Sequence, residues 1–231
     1  MSSVVLDLLL PERCAACGRP GRGLCRACAR AAVDLRMSDG APVLLEPRVL
    51  ALAPFAYDGV VATAIRNVKT PGRHAPAAWL GELLWAEMVP RMGVAATWPR
   101  TWLPSTRARL RHRGAEIPRL LAGDGAIPAL RRVRQAGQQK HRSARERRHS
   151  QSGDFRARGP TPRCVVMVDD VRTTGATARA AANALLAAGS RRILVVTLAA
   201  VRDTNAVSAP SGAEAYDAYD GSAHPPAARD G

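Results

Sequence analysis

Apolar runs alternate with segments of helical periodicity along most of the chain. Strands are predicted at residues 49–55, in a short run ending at Trp102-Leu103-Pro104, and at 130–134, 165–168 and 192–198. Helices are predicted at residues 25–34, 57–69, 79–92, 117–121 and 174–188. Residues 4–10 form a further apolar run, a short helix or strand, and Pro42 and Pro47 indicate a linker. Strands alternating with helices predict an α/β fold with an open, mostly parallel sheet flanked by helices.

The most informative pattern lies at residues 165–177. Four apolar residues precede Asp169 and Asp170, and a turn then opens a helix. The turn consists of small residues: Thr173, Thr174, Gly175, Ala176 and Thr177. Ligands bind beyond the carboxyl ends of parallel strands, and main-chain N–H groups at a helix start bind anions. Because carboxylates repel a phosphate, the two aspartates favour ribose hydroxyls or a divalent cation. The pattern predicts a sugar-phosphate pocket.

This segment closely resembles the phosphoribosyl-pyrophosphate (PRPP) motif of type I phosphoribosyltransferases. The resemblance implies that Asp169 and Asp170 hold the ribose 2′ and 3′ hydroxyls, while residues 173–177 wrap the 5′-phosphate and Mg²⁺ accompanies PRPP. Arg172 departs from the usual aliphatic residue, so it either adds a cation near the phosphate or points to solvent. A Walker-type loop is excluded because the turn has no Lys, and the dinucleotide fingerprint is missing.

A PRPP pocket also needs a second anion site, for pyrophosphate. The best donors are in the polar, basic loop that follows Pro104: Ser105, Thr106, Arg107 and Arg113. Arginine can bind pyrophosphate oxygens bidentately and offset the charge that develops on the leaving group. The alternative is an exposed row of arginines. If β-strands precede both loops in a parallel sheet, the two loops face one crevice.

Four cysteines near the N-terminus give a second signal. Cys14 and Cys17 form one Cys-x-x-Cys pair, and Cys25 and Cys28 form another after a seven-residue gap. Four thiolates can close a tetrahedral structural zinc site. The gap is shorter than in typical two-knuckle fingers, but glycines and a proline within it provide turns. Disulfides are the alternative, which a cytoplasmic chain disfavours. Cys164, in the apolar strand, is interpreted as a small core residue.

Length and charge limit the remaining possibilities. The 231 residues suit one α/β domain with a small appendage, and no stretch approaches a membrane span or a signal peptide, which indicates a cytoplasmic protein. Net charge is +15, and residues 107–148 contain thirteen Lys or Arg against three acidic residues. Nucleic acid, a small polyphosphate or a solvated surface would each explain this cluster. Base-stacking aromatics are not interleaved with it, and 32 of the 34 basic residues are Arg, a bias that genome composition can also produce.

Together these features resemble the ComF family of competence-associated proteins, which joins a four-cysteine ribbon to a type I phosphoribosyltransferase domain. The match extends from about Leu6 to Val201 and includes Tyr57, Gly59, Lys69 and the Arg113-Gly114 pair. It departs from the family at Ser105, Glu116 and Ser150. The implied organisation is a zinc ribbon at residues 1–40, a phosphoribosyltransferase-like domain at 48–202 with a mobile hood at 135–153, and a disordered tail at 203–231.

The resemblance leaves two functions open. One is phosphoribosyl transfer to or from a nucleobase-like or other nucleophile, with pyrophosphate as the other partner. The other is an accessory role in DNA uptake, in which the protein binds single-stranded DNA or a helicase-like partner.

Overall fold

The computed structural model describes residues 13–40, 42–133 and 154–202. The helices are α1 (Arg26–Val33), α2 (Gly59–Val68), α3 (Ala77–Met88), α4 (Arg107–Arg113), α5 (Ile117–Ala122) and α6 (Ala176–Ala187). The strands are β1 (Val43–Glu46), β2 (Val49–Leu52), β3 (Phe55–Ala56), β4 (Arg100–Trp102), β5 (Leu130–Arg132), β6 (Phe155–Ala157), β7 (Cys164–Arg172) and β8 (Arg192–Ala200). Short 3₁₀ turns lie at Ser38–Gly40, Val89–Arg91 and Gly93–Thr97.

The main sheet has the strand order β1-β2-β8-β7-β4, with β3 also paired to β8. All pairings are parallel except that of the edge strand β1 with β2. Strands β7 and β8 are neighbours connected through α6, which makes a β–α–β unit at the centre of the sheet. Strands β5 and β6 form a separate antiparallel pair. The expected mixed α/β architecture, with a mostly parallel sheet flanked by helices, is confirmed.

The apolar core lies on both faces of the sheet. Successive side chains of a strand point to opposite faces, so Val166 and Val168 pack with the buried residues of α2, α3 and α5. Val165 and Met167 pack on the other face, with α6 and the β5–β6 pair. Burial on both faces explains why the central strands are continuous apolar runs rather than alternating ones.

Two local expectations were wrong. Residues 43–46 form an edge strand between Pro42 and Pro47 rather than a linker, and an edge tolerates flanking prolines. The basic loop after Pro104 contains a helix, α4, which Thr106 caps and Gly114 ends at φ +75°. This helix buries none of its residues, so it has no apolar periodicity to detect. Strand β7 runs from Cys164 to Arg172, and the two aspartates lie near its C-terminal end, as expected.

The cysteine ribbon packs directly on the α/β core. Cys14, Ala15 and Ala16 are buried in the same apolar cluster as α2 and α3. The Asn67 side-chain amide, on α2, donates hydrogen bonds to the carbonyl oxygens of Ala15 and Ala16, at 2.8 and 3.0 Å. The predictions for residues 4–10, the hood at 135–153 and the tail at 203–231 lie outside the described residues. Among the helices described, none has the length and apolar character needed to cross a bilayer.

Candidate functional site

The acidic pair lies at the carboxyl-terminal end of the central strand β7. Because β7 is parallel to both β4 and β8, the ends of all three strands meet at one edge of the sheet. Asp170 is 14% exposed at its side chain, and Lys69 Nζ donates to its Oδ1 at 2.7 Å. Lys69 follows α2, on the face to which Asp170 points. The ion pair therefore links helix α2 to the strand that carries both carboxylates.

Asp169 is in an unusual protonation environment. Burial raises its pKa, and the neighbouring Asp170 charge raises it further, to about 8. The Asp170 main-chain N–H, which donates to Asp169 Oδ1 at 2.8 Å, acts in the opposite direction, as do the charges of Lys69 and Arg109. Two carboxylates side by side cannot both be ionised easily in such a site. A cation or several hydroxyl donors beside them would relieve this repulsion, so the pair is suited to bind such groups.

The small-residue turn follows β7 directly. Gly175 has φ +73°, a backbone conformation that favours glycine, and a Cβ atom there would lie 2.7 Å from Leu45 Cδ2, so the end of the Leu45 side chain would have to shift. Within the described residues, the main-chain N–H groups of Thr173, Thr174 and Gly175 form no backbone hydrogen bond. Ala176 N–H makes only a long contact, 3.4 Å, with Thr174 Oγ1. The turn therefore offers amides at the edge of the sheet that holds the acidic pair.

Thr173 and Thr174 are exposed, whereas Ala176 and Thr177 are half-buried at the start of α6. All five residues predicted to bind the 5′-phosphate thus occupy the turn and the first helical residues beyond Asp170. Arg172 is only 5% exposed, which excludes the alternative that its side chain points to solvent.

The second predicted anion loop follows β4, which lies next to β7, so the two loops are neighbours as expected. Two of its four donors have structural roles. Ser105 N–H donates to Glu116 Oε1 at 2.8 Å, and Thr106 Oγ1 accepts from Arg109 N–H at 3.2 Å as the cap of α4. The Ser105 amide is therefore not available to an anion, although both hydroxyl groups can still donate. Arg107 is exposed and Arg113 is half-buried.

Sequence reasoning missed two basic residues of this site as functional candidates. Lys69 entered only as a match to a family, yet it pairs with a carboxylate 101 residues away. Arg109, which lies inside the predicted basic loop, is close enough to Asp169 to lower the pKa of that carboxyl. In a helix over residues 107–113, Arg109 points to the opposite side from Arg107 and Arg111. Predicting the segment as a loop gives no such difference in direction.

The four cysteines form one cluster. Their Sγ atoms all lie within 4.8 Å of one another, and the Cys17 and Cys25 sulfurs are 3.7 Å apart. Tetrahedral zinc with bonds of about 2.3 Å separates sulfurs by about 3.8 Å. The turn of the first pair is closed by Gly18 N–H, which donates to the Cys14 carbonyl at 3.0 Å. All four thiols are free, so the arrangement fits a metal better than disulfides.

The thiols influence one another's protonation. Burial raises the pKa of Cys28, and hydrogen bonds from the neighbouring cysteines bring it to about 12. Burial also acts to raise the pKa of Cys14, but main-chain N–H groups of Cys17, Cys25 and Ala16 outweigh it and bring the value to about 6. Amides that stabilise one thiolate prepare a sulfur to bind a cation.

A cavity of about 850 Å³ lies beside the second loop, lined in part by Gly114, Glu116 and His74. Aromatic and basic side chains meet in and around it. The Arg100 guanidinium lies 4.8 Å from the centre of the Trp85 ring, and Arg119 lies 5.6 Å from that of Trp102. The fold therefore brings tryptophans to the basic region, which the order of residues along the chain had not indicated.

No protein-family model matches the chain, and a search of curated proteins finds no significant match.

Proposed function

We propose that this chain is a phosphoribosyltransferase-type protein of the ComF kind, which binds PRPP or a related ribose 5-phosphate. The observation that carries the proposal is the order of groups on β7: two carboxylates at the end of a central parallel strand, followed at once by a glycine-dependent turn with free amides. Ligands of α/β sheets bind at this edge. A sugar with vicinal hydroxyls and a terminal phosphate matches both halves of the site.

The proposed roles follow from the chemistry of the groups. Asp169 and Asp170 accept hydrogen bonds from the ribose hydroxyls, and the amides and hydroxyls of residues 173–177 bind the 5′-phosphate. Asp169 and Asp170 are the residues that would lie nearest to Mg²⁺ bound with PRPP, and the ion would supply positive charge that neutralises the pyrophosphate. Arg107 and Arg113, in the neighbouring loop, would orient the pyrophosphate.

In the transfer reaction, a nucleophile forms a bond to C1′ as the bond from C1′ to the pyrophosphate oxygen breaks. Pyrophosphate leaves with the electron pair of that bond. Basic side chains near the second loop offset the charge that develops on it. The acceptor would be a nucleobase or another nucleophile, and the four-cysteine cluster would hold a structural zinc ion.

Calorimetric titration of PRPP, with and without Mg²⁺, tests the proposal directly. The wild-type chain should bind PRPP with Mg²⁺, and the double substitution Asp169→Asn, Asp170→Asn should abolish or strongly weaken binding. Asp124→Asn is the matched control, because this exposed aspartate lies beside Arg100, away from the acidic pair. Equal affinity of the wild-type chain and the double variant would refute the ribose assignment.

A second function is favoured by the tryptophan–arginine pairs beside the basic helix α4. Stacked aromatic side chains and arginines are the groups that bind single strands without sequence preference. This accessory role predicts binding of a labelled single-stranded oligonucleotide that weakens steeply between about 50 and 200 mM salt. Trp102→Ala and Arg119→Ala should reduce the affinity, whereas Arg48→Ala, on an exposed site before β2, should not. No complex at low salt would eliminate this role.

A further inference from the structure

The cavity of about 850 Å³ beside the second loop is separate from the acidic pair. We call it the α3–α5 cavity, because α3 and α5 form two of its walls and residues 123–126 complete its lining. None of its lining residues belongs to β7 or to the turn at 173–177. Its volume is in the range of small-molecule sites, about 300–1,000 Å³. It is therefore a candidate site that the proposed transfer reaction does not use.

Flat side chains border this cavity. Trp85 lines it, and the indole N–H of Trp85 donates to the Leu121 carbonyl at 2.8 Å, which fixes the ring. The Arg100 guanidinium lies 4.8 Å from the centre of this ring and donates to the Asp124 carbonyl at 3.3 Å. Arg100 lines the cavity as well, so two planar groups held by hydrogen bonds are available to stack on a flat ligand.

Charges of both signs line the cavity. The acidic lining residues are Glu82, Glu116 and Asp124, and the basic ones are Arg100 and Arg119, with His74 beside them. Because carboxylates and guanidinium groups are nearly balanced, neither a phosphate nor a cation is favoured. The lining therefore suits a neutral ligand that carries both hydrogen-bond donors and acceptors.

Glu82 is the carboxylate best placed to recognise such a ligand. It is exposed, and within the described residues no ion pair or hydrogen bond involves its side chain. It lies three residues before Trp85, so the two side chains are on one face of α3. The Glu116 carboxylate, by contrast, already accepts hydrogen bonds from the Trp102 indole and the Ser105 amide.

Among the nucleobases, guanine carries the matching groups. Its N1–H and N2–H donors lie side by side, an arrangement that pairs with both oxygens of one carboxylate. Its O6 and N7 atoms are the acceptors that an arginine contacts bidentately. Glu82 on α3 and Arg119 on α5 supply one group of each kind from two walls of the cavity.

We propose that the α3–α5 cavity binds the guanine base of a nucleoside or nucleotide. The base stacks on Arg100 and Trp85, Glu82 accepts from its N1–H and N2–H groups, and Arg119 donates to its carbonyl oxygen. Glu116 lines the same cavity and accepts from the Ser105 amide, so the bound base adjoins the second loop without using the acidic pair.

Calorimetric titration of the full chain with nucleosides tests the site. Guanosine should bind, and inosine, which lacks only the N2 amine, should bind at least about fivefold more weakly, because paired contacts to a base edge discriminate by this much or more. Equal affinities for guanosine, inosine and uridine would overturn the guanine assignment. No binding of guanosine by the folded chain would overturn the site itself.

Substitutions in the lining test the placement. Arg100→Lys keeps the charge but removes the planar guanidinium, so it should weaken guanosine binding at least severalfold. Arg48→Lys, at an exposed position outside the cavity, is the matched control. Glu82→Gln should lower the affinity for guanosine towards that for inosine, whereas Asp34→Asn, exposed and outside the cavity, should not. Circular dichroism verifies folding, and unchanged affinities in Arg100→Lys and Glu82→Gln would overturn the placement.

The double substitution Asp169→Asn, Asp170→Asn separates this proposal from the proposed function. This variant should bind guanosine as the wild-type chain does, because neither aspartate lines the cavity. Loss of guanosine binding in it would assign the base to the acidic pair and overturn the proposal. A wild-type chain that binds guanosine but not PRPP would refute the proposed function alone. Competition with a thymidine single strand that carries one guanine distinguishes a free nucleoside from a base within a strand.

Discussion

Asp169 is the residue whose chemistry departs most from its ordinary behaviour. Its pKa rises because the carboxyl is buried beside a second carboxyl, and the site holds both of them at the end of one strand. Structural carboxylates are usually paired with cations, which lowers their pKa. Carboxylates kept together at a cost in stability are common at functional sites.

Replacing Asp169 should therefore change how stability depends on pH. The folded-state pKa of about 8 exceeds the ordinary 3.8, so the native state holds a proton that the unfolded state has lost across that interval. The native state is thus destabilised progressively as pH rises from about 4 to about 8. In urea unfolding, the free energy of unfolding of Asp169→Asn should rise relative to that of wild type by at least about 1 kcal/mol between pH 5 and pH 8. One pKa unit corresponds to about 1.4 kcal/mol. Asp124→Asn should show no such trend, and parallel profiles for wild type and Asp169→Asn would contradict the shift.

Lys69 reduces the repulsion between the carboxylates of Asp169 and Asp170. Its charge lowers the pKa of Asp169 while its ammonium group pairs with Asp170. Lys69→Met should raise the Asp169 pKa by about one unit, because an opposite charge nearby shifts a carboxyl by one unit or more. Carboxyl ¹³C chemical shifts, titrated by nuclear magnetic resonance, measure this value. Arg66→Met is the control, since Arg66 bonds to Thr63 rather than to either aspartate. An unchanged midpoint in Lys69→Met would show that the ion pair does not govern the titration.

At the level of elements, the unit from β7 through α6 was predictable, because a continuous apolar run, a small-residue turn and an Ala-rich helix are each local signals. The strand β1 was not, because it has four residues between two prolines. Helix α4 was missed because its stability comes from the Thr106 cap and the Gly114 end rather than from a buried face. The pairings of Lys69 with Asp170 and of Trp85 with Arg100 depend on the tertiary fold, so no local pattern indicates them.

The turn after β7 has a strict requirement at Gly175. Gly175→Ala should destabilise the chain by about 1–2 kcal/mol for the left-handed backbone conformation, with a smaller further penalty because the end of the Leu45 side chain must shift. Gly125→Ala isolates the backbone effect, because Gly125 has φ +81° and nothing near its missing Cβ. Chemical denaturation should rank Gly175→Ala below Gly125→Ala in stability. Adding Leu45→Ala should change the stability less in the Gly175→Ala background than in wild type; independent, additive effects would refute the contact.

For the molecule as a whole, the ribbon and the α/β domain share one apolar core. Elemental analysis of freshly purified, reduced protein should find one zinc ion per chain. Removing it with a chelator should increase hydrogen exchange in the ribbon and also in α2, because Asn67 and the buried residues 14–16 join the two. Cys17→Ser should reproduce this pattern, whereas Cys164→Ser, outside the cluster, should not. Exchange confined to residues before α1 would indicate that the ribbon folds independently.

Asn67 and Lys69, two residues apart, connect the four-cysteine cluster to the acidic pair. The Asn67 side chain donates hydrogen bonds to the carbonyls of Ala15 and Ala16, between the first two cysteines. Lys69, just beyond the same helix, pairs with Asp170. A shift of this helix end on zinc loss would alter the charge balance of the acidic pair at the same time. Under the proposed function, oxidation or chelation at the sulfurs should therefore change the affinity for PRPP.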